Sequence, residues 1–227
     1  MSIARDIERT EFSDNSNSVV NIGEFTAYFA ETTEQLNKAY RLRHQVFCEE
    51  LGWVPTNDFE LESDEFDANA KIICVENTQG EVVGTNRLVD SKHGWISEKC
   101  FPQTIAGDIT EVKKNSIVES SRIAIHPDLR NKSIPGSSLR LQDVLFLMAM
   151  DYAWDNLKRS NILVTVTPLF AMLYKRKGLA FTQIGPIVTM DDGCKIASYQ
   201  VDIEVSKDTY TPYAKFHQET QGYSKAC

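Results

Sequence analysis

The order of predicted elements along this chain of 227 residues favours an α/β (α+β) fold, with one mixed and mostly antiparallel sheet and helices on both faces. A strand and a helix come first, hairpin strands follow, and a helix, a strand, a helix and closing strands complete the order. Neither a linker nor an internal repeat divides the chain. We therefore expect one domain over 1–227, with a core over about 25–205 and polar arms at both ends.

Hydrophobic spacing and turn residues locate the elements in the first half of the chain. Aromatic residues favour a first strand, and helical periodicity follows it, with Thr33 at the N-cap position and Gly52 at the end. Two apolar runs joined by Asn-Thr-Gln-Gly are typical of a hairpin. The predicted ranges are a strand over 25–30, a helix over 34–51, and strands over 70–76 and 81–89.

The second half is predicted to hold a parallel pair of strands. A long helix that is apolar on most sides separates the apolar run 117–125 from a second run at 161–167. We expect these two strands to be adjacent, parallel and splayed at one end, with the helix as their crossover. The other predicted ranges are that helix over 138–158, a helix over 168–178, strands over 179–188 and 195–205 around a turn at 191–193, and polar arms over 1–20 and 206–227.

Composition indicates a globular protein and argues against a nucleic-acid-binding or membrane-spanning one. Hydrophobic residues make up 42% and charged residues 25% of the chain, which is typical of a globular protein in water. The formal net charge of −8 argues against non-specific binding to nucleic acid. The longest apolar run, at 144–150, is too short to span a bilayer, and the first residues lack the apolar segment of a signal peptide.

The cysteines favour a reducing compartment. Their number is odd, they are widely spaced, and the four histidines form no metal-binding spacing with them. We therefore expect reduced thiols, a cytoplasmic location and no structural metal. The cysteines are Cys48, Cys74, Cys100, Cys194 and Cys227.

Charge is distributed unevenly along the chain. Residues 1–70 contain five Lys or Arg and fifteen Asp or Glu, whereas residues 128–180 contain eight Lys or Arg and four Asp. An acidic half could hold a cationic small molecule, and a basic half could bind an acidic partner. The alternative is that surface charge simply fluctuates between segments.

An arginine in the first helix and the acidic loop after it form the first candidate site. Arg43 shares a helical face with Tyr40 and Phe47, so its guanidinium turns toward the core and needs an anionic partner. The loop over 62–67 supplies four carboxylates, which repel each other unless a cation or a cationic ligand neutralises them. The alternative is a solvated loop beside an arginine that reaches water.

A second candidate lies in the strand over 117–125, which is interrupted by Glu119 and Arg122. Side chains three positions apart in an ideal strand point to opposite faces, so one of these charges would enter the interior unless a bulge re-aims it. A carboxylate in such a place has a raised pKa and could act as a general base. A structural Glu–Arg pair is the alternative.

Short motifs occur in a fixed order along the chain. They are Arg-x3-Phe-x5-Trp, Glu-x-Asp-x-Phe-Asp, Arg-Leu, a Phe, and Glu-x-Ser-Arg, and they comprise Arg43, Phe47, Trp53, Glu62, Asp64, Phe66, Asp67, Arg87, Leu88, Phe101, Glu119, Ser121 and Arg122. In this order and spacing the chain resembles the acyl-homoserine lactone autoinducer synthases, a branch of the GNAT acyltransferase fold. The resemblance covers about 25–205 and extends to the carboxyl half, where a helix ends in Arg-x-Gly before a Gly-Pro strand.

The resemblance implies an N-acyltransferase that moves a fatty acyl chain from the phosphopantetheine arm of acyl carrier protein to an amine, with no permanently bound cofactor. The acceptor in that family is S-adenosylmethionine, which then lactonises to give a quorum-sensing signal. Glu119 would be the base, beside Ser121 and Arg122. Residues implied to bind the substrate are Arg43, Phe47, Trp53, Glu62, Asp64, Asp67, Arg87 and Phe101. The charged residues Arg43, Asp64, Asp67, Arg87 and Arg122 are expected to lie within salt-bridge range of one another as one network.

Departures from the family pattern leave the acceptor and the donor open. The residues after Leu88 lack the usual Leu-Pro-Thr, and Val118 replaces a common Trp. The chain is also similar to exosortase-associated acyltransferases and to N-acyl amino acid synthases, whose acceptor would be a free amino acid. A non-catalytic acyl-binding module of the same shape is a third alternative.

The donor is expected to be a carrier protein because the usual GNAT pyrophosphate loop is reduced to Arg-Asn-Lys-Ser-Ile-Pro-Gly at 130–136. The Gly-Ser-Ser that follows could bind a phosphate through helix amides, or be an ordinary helix start. An acyl tunnel could be lined by Leu145, Met148, Met150, Val164, Val166 and Phe170, which are otherwise plain core. An acidic carrier protein could dock on Arg130, Lys132, Arg140, Lys158, Arg159, Lys175, Arg176 and Lys177.

Overall fold

Strands and helices alternate along the computed structural model, which describes residues 19–114 and 116–220. Most of the arm predicted over 1–20, residues 1–18, and the end of the predicted tail, 221–227, lie outside the described residues, and Val20 belongs to a strand instead of the arm. The strands are β1 (Val20–Ile22), β2 (Phe25–Phe29), β3 (Ala70–Glu76), β4 (Val82–Asp90), β5 (Ile117–Ile125), β6 (Asn161–Val166), β7 (Phe181–Gln183), β8 (Val188–Thr189) and β9 (Lys195–Asp202). The helices are α1 (Thr33–Arg43), α2 (Ile96–Cys100), α3 (Ile109–Lys113), α4 (Leu141–Asp155), α5 (Pro168–Arg176), α6 (Ile203–Thr209) and α7 (Thr211–Glu219).

The strands form one sheet in the order β1-β2-β3-β4-β5-β6-β9-β7, with β8 paired to β9. Every described pair is antiparallel except β5 with β6. One apolar cluster joins α4 to one face of the sheet, and a second cluster joins α1 to the other face. The predicted mixed sheet with helices on both faces is therefore confirmed.

The parallel pair has the predicted splay. Only three residues of β5 pair with β6, and the last pair joins Glu119 to Leu163. Beyond this pair β5 continues alongside β4 to Ile125, while β6 continues alongside β9 to Val166. The two central strands therefore diverge immediately after Glu119, and α4 is their crossover.

The first helix begins and ends differently from the prediction. Thr32, and not Thr33, is the N-cap, because its side chain accepts from the backbone of Gln35 while the Gln35 side chain accepts from the amide of Thr32. The regular helix ends at Arg43 and continues as a wider π-helix over His44–Glu50. Such π segments are frequent at functional sites, and this one carries Phe47.

The carboxyl end is helical where a strand end and a polar tail were expected. Asp202 caps α6, so the predicted strand over 195–205 stops there, and α7 packs on α4 through the buried ring of Phe216. The hydroxyl of Tyr210 donates to the buried carboxylate of Asp143 on α4 at 2.7 Å. The core therefore extends beyond residue 205, and apolar residues spaced by three in this segment were the signal that the sequence analysis missed.

The long central helix is shorter than predicted and does not begin at Gly-Ser-Ser. Its first residue is Leu141, and the Asp143 carboxylate accepts from the amide of Arg140 at 3.1 Å. The buried carboxylate of Asp143 therefore lies in the first turn of α4. The two readings of Gly-Ser-Ser, a phosphate site or an ordinary helix start, both placed the helix start there, and α4 begins beyond that segment.

Candidate active site

Three arginines and three carboxylates form a closed ring of ion pairs on the α1 face of the sheet. Each arginine contacts two carboxylates and each carboxylate contacts two arginines. The nitrogen–oxygen distances run from 2.5 to 3.3 Å. In order around the ring the residues are Arg43, Glu62, Arg122, Asp64, Arg87 and Asp67.

Burial makes this ring strong and sensitive to truncation. The side chains of Arg43, Arg87 and Asp67 are 0% exposed, and that of Glu62 is 2% exposed. Burial alone would raise the pKa of Asp67, but the charges and hydrogen bonds of Arg43, and then the charge of Arg87, hold that pKa below its ordinary value. The ring is therefore charged, and each of its members needs the others.

The ring confirms the predicted charge network and supplies the cations that the acidic loop needs. Its three positive and three negative side chains cancel, and Glu65, the fourth carboxylate of the loop, pairs with Lys99. The loop is therefore neutralised by the protein itself. The guanidinium groups of the ring also lie over aromatic rings: Arg43 over Tyr40, Arg87 over Phe66 and Arg122 over Phe47.

A β-bulge brings Arg122 into the ring. Thr85 of β4 pairs with Ala124 of β5, whereas Arg87 pairs with Ser121, so β5 has one extra residue between these pairs. Arg122 takes up this residue in the left-handed region, with φ 53°. The bulge turns its side chain toward Glu62 and Asp64, as the spacing of Glu119 and Arg122 predicted.

Glu119 lies at the point where the parallel pair ends, and its side chain is held by the start of α2. Its carboxylate accepts from the amides of Ile96 and Ser97 at 3.0 and 2.9 Å, and from the Ser97 hydroxyl at 2.5 Å. Burial raises the pKa of Glu119, although these hydrogen bonds and the charge of Arg87 oppose the rise. Glu119 pairs with neither Arg122 nor any other described residue as a salt bridge, so the structural Glu–Arg pair considered from sequence is not formed.

A cavity of about 270 Å³ lies between the π-helix, β5 and the segments that lead into α4 and α5. Phe47 and Trp53 form one wall, with their rings stacked at 6.2 Å. Ile123 of β5 and Phe170 of α5 lie on the opposite sides. The indole nitrogen of Trp53 donates to Asp192 at 3.1 Å, which links this wall to the hairpin before β9.

Of the other predicted site residues, Ser121 contacts the ion-pair ring, whereas Phe101 is not part of the cavity wall. Ser121 accepts from Arg87 Nε at 3.1 Å. Phe101 does not line the cavity; it ends α2, and its carbonyl accepts from Thr104. The sequence analysis missed α2 altogether, although Glu98 accepts from the amide of Trp95 in the manner of a helix-capping residue, which was a readable signal.

The predicted acyl tunnel stays a prediction, and most of its residues lie away from this cavity. Leu145 and Met148 are buried in the core beneath the other face of the sheet, where Leu145 packs against Gly84. Apolar residues on a helix that is buried on most sides cannot be sorted into core and lining from periodicity alone. Of the six predicted residues only Phe170 lines the cavity, and Leu145, Met148, Met150, Val164 and Val166 do not.

The basic segment does not form one surface. Arg130 pairs with Glu50 through both guanidinium ends, and Arg159 pairs with Asp90 at 2.9 Å. Arg140 precedes α4 and Lys158 follows it, so about 22 Å of helix separates them. A docking surface would have to use residues at one end of α4, and which of them take part stays a prediction.

Comparison with known proteins places this geometry in context. A family model described as an acetyltransferase (GNAT) domain matches residues 42–138. An acyl-homoserine-lactone synthase of Aliivibrio fischeri is 34% identical over 41% of this chain, and the match spans about half the length of that relative, 48%. An acyl-homoserine-lactone synthase of Acinetobacter nosocomialis is 25% identical over 75% of this chain and 92% of its own length.

Solved structures show that the chain has the GNAT-like fold. The acyl-homoserine-lactone synthase LasI superposes with a TM-score of 0.66 and 22% identity over 83% of this chain and 95% of its own. The CoA-dependent acyl-homoserine lactone synthase BjaI, solved with SAM and isopentyl-CoA, gives 0.64 and 19% over 82% of each chain. FeeM, an N-acyl amino acid synthase, gives 0.61 and 16% over 84% and 97%. The resemblance predicted from the motifs is therefore confirmed.

Replacing Arg87 by Ala is expected to lower the free energy of unfolding by about 3–5 kcal/mol, because Asp64 and Asp67 would each lose one partner inside the protein. Urea denaturation measures the effect. Lys114→Ala, which removes an exposed pair with Glu111, is the control and is expected to change little. An unchanged midpoint for the Arg87 variant would contradict the burial of the ring.

Proposed function

We propose that this chain is an N-acyltransferase that moves an acyl group from a thioester to an amine. The observation that carries the proposal is the divergence of β5 and β6 immediately after Glu119 and Leu163. Backbone groups of the two strands no longer pair with each other beyond this point, so an extended acyl-pantetheine arm can lie between them. A candidate base then stands at the closed end of the opening.

The chemistry requires a neutral amine, and Glu119 is positioned to make one. The ammonium form of the acceptor gives a proton to the Glu119 carboxylate, directly or through a water, and the freed lone pair attacks the thioester carbonyl. The new C–N bond forms as the C–S bond breaks, and a second proton from the same nitrogen passes to the departing sulfur, which leaves as a thiol. Burial makes Glu119 a stronger base than an exposed carboxylate, which suits this role.

The ion-pair ring supports this step by fixing the walls of the site. Arg87 is the ring member whose charge acts on Glu119, and its Nη1 contacts Asp64 and Asp67. Its other terminal nitrogen, Nη2, is buried and has no hydrogen-bond partner among the described residues. A buried donor of this kind fits an oxygen of a bound substrate.

The acceptor in this proposal is S-adenosylmethionine, with an acyl-homoserine lactone as the product. The stacked Phe47 and Trp53 offer ring faces to a sulfonium. The ion-pair ring has no net charge, however, so it does not favour a cationic acceptor over a neutral one. A zwitterionic amino acid is therefore the second candidate acceptor. Mass spectrometry of the amide formed from each acceptor separates the two, and binding without thiol release would indicate an acyl-binding module instead.

The donor in this proposal is acyl carrier protein, acting in the cytoplasm. Asp143 lies in the first turn of α4, and its carboxylate would repel a pyrophosphate there, which weakens the case for coenzyme A. The four described cysteines are free thiols, which the reducing cytoplasm maintains. No described helix has both the length and the apolar character needed to cross a membrane.

Glu119→Gln is expected to lower kcat by about 10²–10⁴-fold, because the amide cannot accept the proton from the amine. The acidic limb of the kcat/KM profile reports the ionisation of Glu119, so it should lie above the ordinary carboxyl value of about 4.3, with the rate rising as the pH rises through it. Thiol release from the acyl donor measures both quantities.

The matched control is Glu111→Gln, which alters an exposed carboxylate of α3 that pairs with Lys114 and, among the described residues, contacts neither Glu119 nor α2. It should keep the wild-type profile. Full activity in Glu119→Gln, or an unchanged acidic limb in that variant, would contradict the assignment of the base.

The carrier-protein form of a given acyl group is expected to give a higher kcat/KM than its coenzyme A form, because the protein supplies contacts that coenzyme A cannot make. Thiol release with the two donors at matched chain length measures the ratio. Charge reversal at Lys175, which is exposed on α5, should slow association and flatten its salt dependence. Equal or faster turnover with coenzyme A would overturn the choice of donor.

A further inference from the structure

A row of hydroxyl groups extends from Glu119 through the interior of the protein. Ser97 Oγ contacts the Glu119 carboxylate at 2.5 Å and Thr165 Oγ1 at 3.1 Å. Thr165 Oγ1 contacts Ser198 Oγ at 2.8 Å, and Ser198 Oγ contacts Thr104 Oγ1 at 2.6 Å. Four hydroxyls from α2, β6, β9 and the segment after α2 therefore form one continuous chain with the candidate base.

The far end of the row fixes its direction. Thr104 Oγ1 lies 2.7 Å from the carbonyl of Phe101, which can only accept, so the hydroxyl of Thr104 must donate there if this contact is a hydrogen bond. Ser198 must then donate to Thr104, Thr165 to Ser198, and Ser97 to Thr165. If all five contacts are hydrogen bonds, Ser97 has no proton left for Glu119, and the first contact then requires a protonated Glu119.

Counting protons gives the same result. The row makes five contacts and its four hydroxyls supply four protons, so all five become hydrogen bonds only when Glu119 is protonated. When Glu119 is ionised, every hydroxyl turns to donate toward it, and the contact between Thr104 and Phe101 is lost. The Phe101 carbonyl tolerates this loss because it still accepts from the backbone amide of Thr104 at 2.9 Å.

We infer that Ser97, Thr165, Ser198 and Thr104 act as a relay of hydrogen bonds that reverses direction when Glu119 takes the proton of the acceptor amine. The inference rests on the proposed role of Glu119 as the base. Reversal completes one more hydrogen bond in the protonated state than in the ionised state, so the relay favours proton uptake. Ser97, Thr165, Ser198 and Thr104 are thus positioning residues that tune the basicity of Glu119.

Thr104 and Ser198, the relay residues farthest from Glu119, are buried. Thr104 and Ser198 are 0% exposed, so no proton leaves to solvent at that end and the relay reorients without conducting. Gly185 packs so closely on Thr104 that a Cβ at that position would lie 2.0 Å from its carbonyl oxygen. Side chains fixed in this way can hold the short distances that coupled reorientation needs.

Other groups also face Glu119, but they stay in place when a relay residue is replaced. The effect of the relay on the pKa of Glu119 can therefore be measured separately. Arg87 on β4 is charged and favours the carboxylate, the start of α2 presents the amides of Ile96 and Ser97, and β6 presents Leu163 as the register partner. The charges of the ion-pair ring lie beyond Arg87. None of these groups contacts the Thr104 side chain in the described residues, so changing that side chain leaves them in place.

The test is the titration of Glu119 itself in the full chain without substrate, followed by infrared difference spectroscopy of the carboxylic acid C=O band, with Glu119→Gln identifying the band. Thr104→Val removes the hydroxyl at nearly constant volume, and Ser198→Ala breaks the row one step nearer. Each should lower the titration midpoint by about 0.5–1 pH unit, the worth of one hydrogen bond. Thr104→Ser keeps the hydroxyl and should restore the wild-type midpoint.

Ser120→Ala is the matched control, because the Ser120 hydroxyl is also buried in β5 but pairs with Asn86 outside the relay. Unchanged midpoints in Thr104→Val and Ser198→Ala, or an equal shift in Ser120→Ala, would overturn the relay. Because no substrate is present, this result is independent of turnover. Loss of activity in Glu119→Gln with no shift in the relay variants would leave the base in place and remove the relay alone.

Discussion

The buried ring of three arginines and three carboxylates is the interaction on which the site depends. It ties α1, the acidic loop, β4 and β5 together with alternating charges, and the ring cannot close unless all four segments are in place. Its desolvation cost is large, and replacement of a whole buried ion network by apolar residues is often neutral for stability. We therefore regard the ring as a device that fixes geometry more than one that adds stability.

The bulge at Arg122 connects this ring to the opening between the strands. Without an extra residue in β5, the Arg122 side chain would point to the face covered by α4, and the ring would lack its link between Glu62 and Asp64. The same strand carries Glu119 three residues earlier, at the last pair with β6. One irregular strand therefore aims an arginine into the ring and leaves a carboxylate at the closed end of the opening.

The sequence predicted the parts of the site that follow from chain-local patterns. Arg43 on an apolar helical face needed an anion, and the spacing of Glu119 and Arg122 required a bulge; the structure has both. The adjacent parallel pair followed from two apolar strands joined by a long helix, and its splay was expected from the GNAT-like fold. The arginine and the bulge were readable because each one violates a local rule at a place where the violation has to be compensated.

Features that depend on contacts between distant segments were readable only through the family resemblance, or not at all. The acidic loop alone indicated only that it needs a cation, whereas the resemblance implied the network with Arg43, Arg87 and Arg122 that the structure contains. The acyl lining on α4, β6 and α5 stays a prediction, because a helix buried on most sides gives no sign of which residues border a cavity. The hydroxyl row joins Ser97 to Ser198 across three elements, and such a row has no pattern in sequence.

The most direct test of the central claim is a cross-linking measurement between the donor arm and the opening beside β5. A carrier protein loaded with an electrophilic pantetheine arm would be combined with Ile123→Cys, in the wall of the cavity, and with Val205→Cys, exposed on α6. We expect rapid cross-linking at position 123 that excess acyl donor suppresses, and only slow, unsuppressed reaction at position 205. Equal rates at the two positions, or no protection by donor at position 123, would contradict an acyl arm lying between the diverging strands.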